Sequence, residues 1–430
     1  MNRLRAGCHV QFGHHYYHLL ARLNVKMCAE RILNVVESVN FENYMNKFIY
    51  LAHQPVSSNR YGFNDEIRFL IQHNDVYTLP SRSYLQIRGK LEKKSGSNAQ
   101  LVDNAVAYLF EQIRYELNSV EIDKTRNLGA ATLLKGLASM TNAEYTSSSN
   151  SGFAGLNDDN LVDSTTGNFS VCVPLKRWMG FFEDYEKIIS SMRQELILQR
   201  ASDDKNALYS TTTADSSKIT IDGISWLVPY IHVSEAVRVT LLSLVEENIV
   251  IKVPFRSWEM VENTALNMVT RNNWTIMTST QLEKPRYVLV SFLTNRKNQL
   301  NARNDRFDHV KLKDVKLFLN SEYYPYINLN LDPAKKDISF LYQMYCDFQY
   351  SYYSRKDYVP ALSRVDFLSN NFMVVFDCNF QNDSIKSGSV DIRLEIETSE
   401  SMPAGTVAHC LIIHDRIIQY SPLSGIVRCL

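Results

Sequence analysis

The chain has 430 residues, 45% of them hydrophobic; that is enough apolar material for more than one core and too much length for one ordinary domain of about 150 residues. Forty-six basic and 46 acidic residues cancel to zero formal charge, which removes any global electrostatic drive toward nucleic acid or an anionic membrane. Seven scattered cysteines without a CxxC read as small apolar core residues of a reducing compartment, and no apolar run approaches the ~18 residues of a membrane span.

In chain order, residues 1–39 come first as a basic extension. Arg3, Arg5, Arg22, Lys26 and Arg31 outweigh Glu30 and Glu37 there. Val25, Cys28, Ile32 and Val35 recur at helical spacing, with Arg22, Lys26 and Glu30 on another face, so this stretch is either an amphipathic helix or a disordered tail. The opening MNRLRAGCHVQFGHHYYHLL lacks an apolar signal core, so secretion is not expected. The triplets at Asn168, Asn273 and Asn382 accordingly read as accidental glycosylation sequons.

From about residue 40 the period changes to two. Ile67, Phe69 and Ile71 alternate with polar neighbours, as do Leu85 and Ile87, and then Ile113, Tyr115 and Leu117. Late in the chain Val390, Ile392, Leu394 and Ile396 alternate with Asp391, Arg393, Glu395 and Glu397, and Phe372, Val374, Phe376, Cys378 and Phe380 share a face. Alternation with charge on one side describes strands packed on a core on the other. Many short strands broken by Gly, Pro, Asn and Ser, together with 24 Tyr and 20 Phe, point to β-sandwiches. The polar stretches 141–160 and 200–218 read as mobile surface insertions. One helix is predicted over 337–352, where Phe340, Leu341, Met344, Tyr345, Phe348 and Tyr352 form a stripe suited to a sheet edge.

A weak internal repeat organises these strands. Ile113-x-Tyr115-x-Leu117-Asn118-Ser119 matches Val315-x-Leu317-x-Leu319-Asn320-Ser321 at a shift of 202 residues. At 203, Tyr84-Leu85-x-Ile87 is answered by Tyr287-Val288-x-Val290, Val162-Asp163 by Val365-Asp366, and Asn168-Phe169 by Asn371-Phe372. Convergent strand composition is the competing explanation. The order and phase of the matches favour one unit used twice, and a period near 200 suits a whole eight-stranded sandwich. The expected architecture is all-β: two eight-stranded antiparallel jelly-roll sandwiches in tandem with a few short helices. The expected boundaries are residues 40–275 for the first jelly roll and 276–430 for the second.

Chemistry is sparse. There is no phosphate-binding loop, dinucleotide fingerprint, HExxH, GxSxG or CxxC. His14 and His18 would share a helical face near Cys8, His9 and His15, but no third ligand has suitable spacing, so no metal is assigned. His414 and Asp415, adjacent on a strand, point to opposite faces and cannot act as base and orienter. The pairs Glu246-Glu247, Asp158-Asp159 and Asp203-Asp204 read as solvated loops. Basic residues beside aromatics, as in Lys176-Arg177-Trp178 and Arg355-Lys356, do not gather into a stripe. No catalytic, cofactor-binding or metal-binding residue is assigned.

Several segments resemble a known family. Asn64-Asp65-Glu66-Ile67-Arg68-Phe69, Asp75-Val76-Tyr77-Thr78-Leu79-Pro80, Phe110-Glu111-Gln112-Ile113-Arg114-Tyr115-Glu116-Leu117-Asn118 and Glu283-Lys284-Pro285-Arg286-Tyr287-Val288 are similar to stretches of the double jelly-roll major capsid proteins of Polinton/Maverick and adintovirus-like elements. Leu319-Asn320-Ser321-Glu322-Tyr323-Tyr324-Pro325 and the ending His409-Cys410-Leu411-Ile412-Ile413-His414-Asp415 resemble the same family. The likeness runs from about residue 55 onward and does not include residues 1–40. It implies a homotrimer of double jelly rolls forming a pseudo-hexameric capsomer in an icosahedral shell. Its partners would be neighbouring capsomers, penton proteins and minor capsid proteins, and its location the virion, assembled in the nucleus or cytoplasm of a host cell. The chain is short for that family, which implies small outer loops. The basic extension is then either a non-specific contact to packaged DNA or a plain tail. Two other readings stay open. One is a carbohydrate- or peptide-binding pair of sandwiches; the other is an enzyme with paired carboxylates in an inter-domain cleft.

Overall fold

The computed structural model describes residues 45–430 apart from 57–60, 73–76, 154–160, 191, 213–214, 248, 265, 278–284 and 380–389. The N-terminal helix, the His14/His18 pair and Asp158-Asp159 lie outside the described residues.

Strands β1 (Met45–His53), β2 (Glu66–Ile71), β3 (Tyr84–Glu92), β4 (Phe110–Leu117), β5 (Val120–Arg126), β6 (Asn168–Pro174), β7 (Gln194–Arg200) and β8 (Lys218–Val233) make the first half. They hydrogen-bond as two antiparallel sheets, β1-β8-β3-β6 and β2-β7-β4-β5, and the short strands Tyr77–Thr78 and Ile189–Ser190 extend the first sheet. The second half repeats the wiring. Its strands are β9 (Ile251–Asn263), β10 (Arg271–Ile276), β11 (Pro285–Thr294), β12 (Leu312–Leu319), β13 (Glu322–Tyr324), β14 (Met373–Asp377), β15 (Ile392–Thr398) and β16 (Thr406–Tyr420). They pair as β9-β16-β11-β14 and β10-β15-β12-β13, with a final strand β17 (Val427–Cys429) on β16. Each strand of the first half therefore has a counterpart eight strands later in the same place. That is a jelly roll built twice.

The alternating residues do what their period requires. Ile67, Phe69, Ile71, Leu85, Ile87, Ile113, Tyr115 and Leu117 are buried while their neighbours reach solvent, and Ile392, Leu394 and Ile396 do the same in the second half. The repeated Leu-Asn-Ser is the tight turn of the hairpins β4–β5 and β12–β13. Asn118 and Asn320 both take positive φ, which asparagine tolerates. Both asparagines also make the same reciprocal bonds. Asn118 donates its backbone N–H to Arg193 O at 2.8 Å and accepts Arg193 N–H on its side chain at 2.8 Å; Asn320 does so with Asp391 at 2.9 and 2.8 Å.

The ladders divide the chain elsewhere than at the expected 275/276 boundary. β9 pairs with β16 along its whole length, and β10 pairs with β15, so residues 251–276 belong to the second set of sheets. The matches at 202–203 begin only at Tyr84 and Tyr287, so the first two strands of each roll carried no marker. A helix, Glu235–Glu246, connects the two halves.

The described parts of the two polar stretches, 141–153, 200–212 and 215–218, are built rather than loose. Thr141 caps a helix over Asn142–Ser147 with a full capping box to Glu144, and a 3-10 turn follows over Ser148–Ser151, with Ser148 and Ser151 buried. In 200–218, Arg200 and Asp204 are a buried ion pair; Arg200 also donates to Leu109 O at 2.6 Å and Asp204 accepts from Ile219 N at 2.9 Å. Internal partners satisfy the polar groups that composition alone assigns to water. The predicted helix spans Ser339–Tyr353 and packs on the edge strand β14, burying Leu341, Tyr345, Phe348 and Tyr352 while Phe340 faces out.

Two apolar cores result, and each borrows from the other half. Residues 130–140 of the first half join the second core, while Val253, Phe255, Ile418 and Tyr420 join the first.

Candidate functional site

The most elaborate chemistry of the chain lies along the seam between the two rolls. The helix Leu128–Ser139 is buried on every side, because Gly129, Ala130, Ala131, Gly136 and Ala138 let neighbours approach closely. Its one charge, Lys135, points into the seam. The ammonium sits 2.5 Å from Glu183 and 2.9 Å from the Tyr353 hydroxyl, and lies 4.7 Å above the Trp258 ring. Glu183 also accepts the hydroxyls of Tyr352, at 2.6 Å, and of Tyr353. Burial pushes the Lys135 pKa down, and the Glu183 carboxylate opposes that shift.

The next residue, Asp184, grips Arg256 of β9. It accepts the Arg256 backbone N–H at 2.8 Å, Nε at 2.9 Å and Nη2 at 2.5 Å. The guanidinium lies 3.7 Å over the Tyr352 ring and donates to Tyr352 O at 2.8 Å. Burial works against the charge on Arg256, yet its bonds to Asp184 hold its pKa above the ordinary arginine value. At Gly180 the halves approach closely, since a Cβ there would stand 1.6 Å from Arg256 O. Asp123 of β5 accepts from Phe181 N at 2.9 Å and from Ser257 Oγ at 2.6 Å, and burial raises its pKa. Phe181 and Phe255 meet edge to face at 5.3 Å.

The seam continues at both ends. Tyr345 donates to Leu137 O at 3.0 Å, Gln349 to Met140 O at 2.7 Å, and Arg355 holds Glu144 through two bonds at 2.6 and 2.8 Å. Glu262 accepts from Asn127, Lys297 and His409; desolvation raises its carboxyl pKa, but His409 and Lys297 together bring it down to about 2. A buried ion pair of this kind adds little net stability, but removing one partner leaves an expensive uncompensated charge. The arrangement fixes orientation.

A cleft of about 1030 Å³ opens beside the seam, lined by Asp184, Asp347, Asp377 and Asp415 among others. Each of these carboxylates already has a partner. Asp184 holds Arg256, Asp415 takes Arg286 Nε at 2.6 Å, Asp377 accepts Ser351 Oγ at 2.5 Å and Asp347 accepts Gln343 at 2.6 Å. Among the described residues no group of three or more His, Cys, Asp or Glu could hold a metal ion.

The residues weighed from sequence are dispersed. His414 Nδ1 lies 3.0 Å from Asp415 O while the Asp415 carboxylate turns to Arg286. Arg355 is bound to Glu144, Arg177 donates to Ser151 at 2.8 Å and Trp178 is buried. Glu246 and Glu247 are exposed at a helix end, whereas Asp204, expected in a solvated loop, is buried on Arg200. Cys172, Cys346, Cys378, Cys410 and Cys429 are free thiols, Cys378 and Cys410 in the core; Cys8 and Cys28 lie outside the described residues. The sequence reading passed over Lys135, Glu183, Asp184 and Arg256. The only available signal was one lysine inside the otherwise uncharged run 128–140.

A family model described as "Double jelly roll-like domain" matches residues 99–418. No curated protein matches the sequence. Among solved structures, a quasi-atomic model of the PBCV-1 virus capsid is similar with a TM-score of 0.60 and 11% identity, covering 92% of this chain and 99% of that one. The Faustovirus major capsid protein follows at 0.58 and 9%, covering 90% and 92%. The mavirus major capsid protein aligns at 0.53 and 13%, covering 89% and 90%. At such identities the likeness is one of fold.

Proposed function

The chain belongs to the double jelly roll-like family, and we propose that it is a viral major capsid protein, a structural subunit rather than an enzyme. On this reading three copies form a pseudo-hexameric homotrimer. The trimers tile an icosahedral shell together with penton and minor capsid proteins, and the chain resides in the virion after assembly inside a host cell. Residues 45–233 make the first roll and 251–430 the second. The observation that carries the reading is the pair of identically wired rolls held side by side by a buried, charge-locked seam. Three such subunits present six similar rolls around one axis, joined by heterologous contacts that close when the rotation between copies is three-fold. Likeness in fold to capsid proteins of PBCV-1, Faustovirus and mavirus supports it, and zero net charge suits a subunit that must meet many copies of itself. A Polinton/Maverick-type origin rests on the sequence segments named above, and contact of residues 1–39 with packaged DNA rests on their basic charge.

The test is light scattering and negative-stain microscopy of the purified chain. The expected species has three times the 49.6 kDa chain mass, appears as six-lobed rings, and forms larger shells on changing salt or pH. A strictly monomeric protein at high concentration overturns the reading. For the extension, deletion of residues 1–36 is expected to reduce DNA retained by assembled particles; unchanged retention removes that role.

A further inference from the structure

Among the described residues, two of the long helices are packed and one is bare. Leu128–Ser139 buries all twelve of its residues and Ser339–Tyr353 buries a stripe of five, but the linker helix Glu235–Glu246 has no residue described as buried. Its composition is not that of a solvent helix. Val237, Leu241 and Val245 are half-buried, while Val239 and Leu242, on another face, are 64% and 48% exposed. Ile249 and Val250, which follow the helix, are 42% and 48% exposed. A helix apolar on more than one face belongs inside a protein, and a patch of this kind at the surface marks a contact site.

The chain supplies a cover beside it. β1 and β8 are antiparallel neighbours; Met45, the first residue of β1, pairs with Val233, the last of β8, and Ser234 is the N-cap of the linker helix. Residues 1–44 therefore enter the sheet where the helix leaves it, one strand away. Within them Ala21, Val25, Cys28, Ile32, Val35 and Val39 recur at spacings of four and three, the seven-residue repeat of a helix with a narrow apolar seam. As a helix, residues 21–39 would span about 28 Å, enough for the roughly 18 Å of the linker helix. The charges are opposite. Arg22, Lys26 and Arg31 outnumber Glu30 and Glu37 by one, whereas Glu235, Glu246 and Glu247 outnumber Arg238 by two. A helix running back from Met45 would bring Arg22 to the end that carries Glu246 and Glu247, and Glu37 to the end that carries Arg238.

We propose that residues 21–39 lie antiparallel on the linker helix of their own chain, with Val25, Cys28, Ile32 and Val35 against Val239 and Leu242. The occupant is this segment because its attachment one strand away gives it a high effective concentration at that face. The contact is independent of the trimer reading, since it is made within one chain. It anchors the basic extension at one end of the first roll and leaves Arg3 and Arg5, N-terminal to the contact, free to reach another partner.

Hydrogen exchange read by mass spectrometry on the full chain tests it. Amides of 235–246 are expected to exchange about ten-fold faster in Ile32→Glu than in the unmodified chain, and those of 21–39 about ten-fold faster in Val239→Glu. A second readout is Leu242→Cys, at an exposed position, beside the native Cys28. Oxidation with diamide is expected to give a disulfide between residues 28 and 242 in a species of one chain mass, absent when Cys28→Ser is added. Unchanged exchange in either segment, or no such disulfide, overturns the contact. A 28–242 disulfide that joins two chains gives the face to a second copy, and protection of 235–246 that appears only with anionic lipid vesicles gives it to a lipid surface; each also overturns the proposal. A chain that never assembles defeats the capsid reading but leaves every one of these outcomes readable.

Discussion

The helices Leu128–Ser139 and Ser339–Tyr353 follow the equivalent hairpins β4–β5 and β12–β13, yet they live in different surroundings. The first is enclosed on every side and traps a lysine; the second buries one stripe and shows Phe340 and Tyr350 to solvent. The same position in a duplicated fold has thus become a shared wedge in one copy and a cover for a sheet edge in the other. What differs is the neighbour. The two helices touch each other across the seam, but the first also lies against strands β9, β11 and β16 of the other roll, and that contact converts an amphipathic pattern into an apolar one with a single, fully partnered charge.

The sharpest way to break this contrast is Glu183→Ala, which strands the Lys135 ammonium inside the seam. A loss of about 3–5 kcal/mol in denaturant unfolding is expected, mostly restored by combining Lys135→Met with Glu183→Gln. Equal destabilisation by the paired neutral change would mean that the charges are not the cause. Next is Trp258→Ala beneath the same lysine, expected to cost about 3–5 kcal/mol, against about 0.5 kcal/mol or less for Tyr350→Ala on the outer face of the second helix. Comparable losses at both sites would erase the distinction.

Glu262 sharpens the comparison through pH. Its carboxyl pKa falls from the ordinary 4.5 to about 2 on folding. A depressed folded value stabilises above the unfolded pKa, and that contribution is lost as pH falls from about 4.5 through about 2. About 3 kcal/mol of the acid limb is expected to vanish in Glu262→Gln. An unchanged acid limb would show that the seam contributes nothing there. Within the seam the smallest effect is expected from Arg256→Lys, which keeps charge but loses the paired bonds to Asp184 and the stacking on Tyr352, at about 1–2 kcal/mol by thermal melting.

Much of the architecture was legible because strands declare themselves through period two, and Leu-Asn-Ser with its companions marked the duplication. The boundary near 275 was misplaced because β1 and β9 have diverged in proportion to what touches them: Met45–His53 faces solvent, Ile251–Asn263 faces another roll, and no residue match survived. The stretches 141–160 and 200–218 read as loose from sequence because serine, asparagine and aspartate look alike whether water satisfies them or, as in the described parts of both, Arg200, Glu144 and backbone do. The seam was illegible for a different reason. Lys135, Glu183 and Tyr353 are far apart in sequence, and neither spacing nor composition encodes a meeting of that kind.

Gly180 carries a last implication. With Arg256 O where a methyl would go, the rolls meet backbone against backbone at this point, a contact that side-chain drift there cannot retune. Because unlike edges meet there, every subunit has a front and a back, and any assembly repeating that junction can only travel in one rotational sense. Were copies to repeat it, the turn per step would decide whether the path returns to its origin or winds onward as a spiral, so the absence of one carbon atom bears on the shape such an assembly would take.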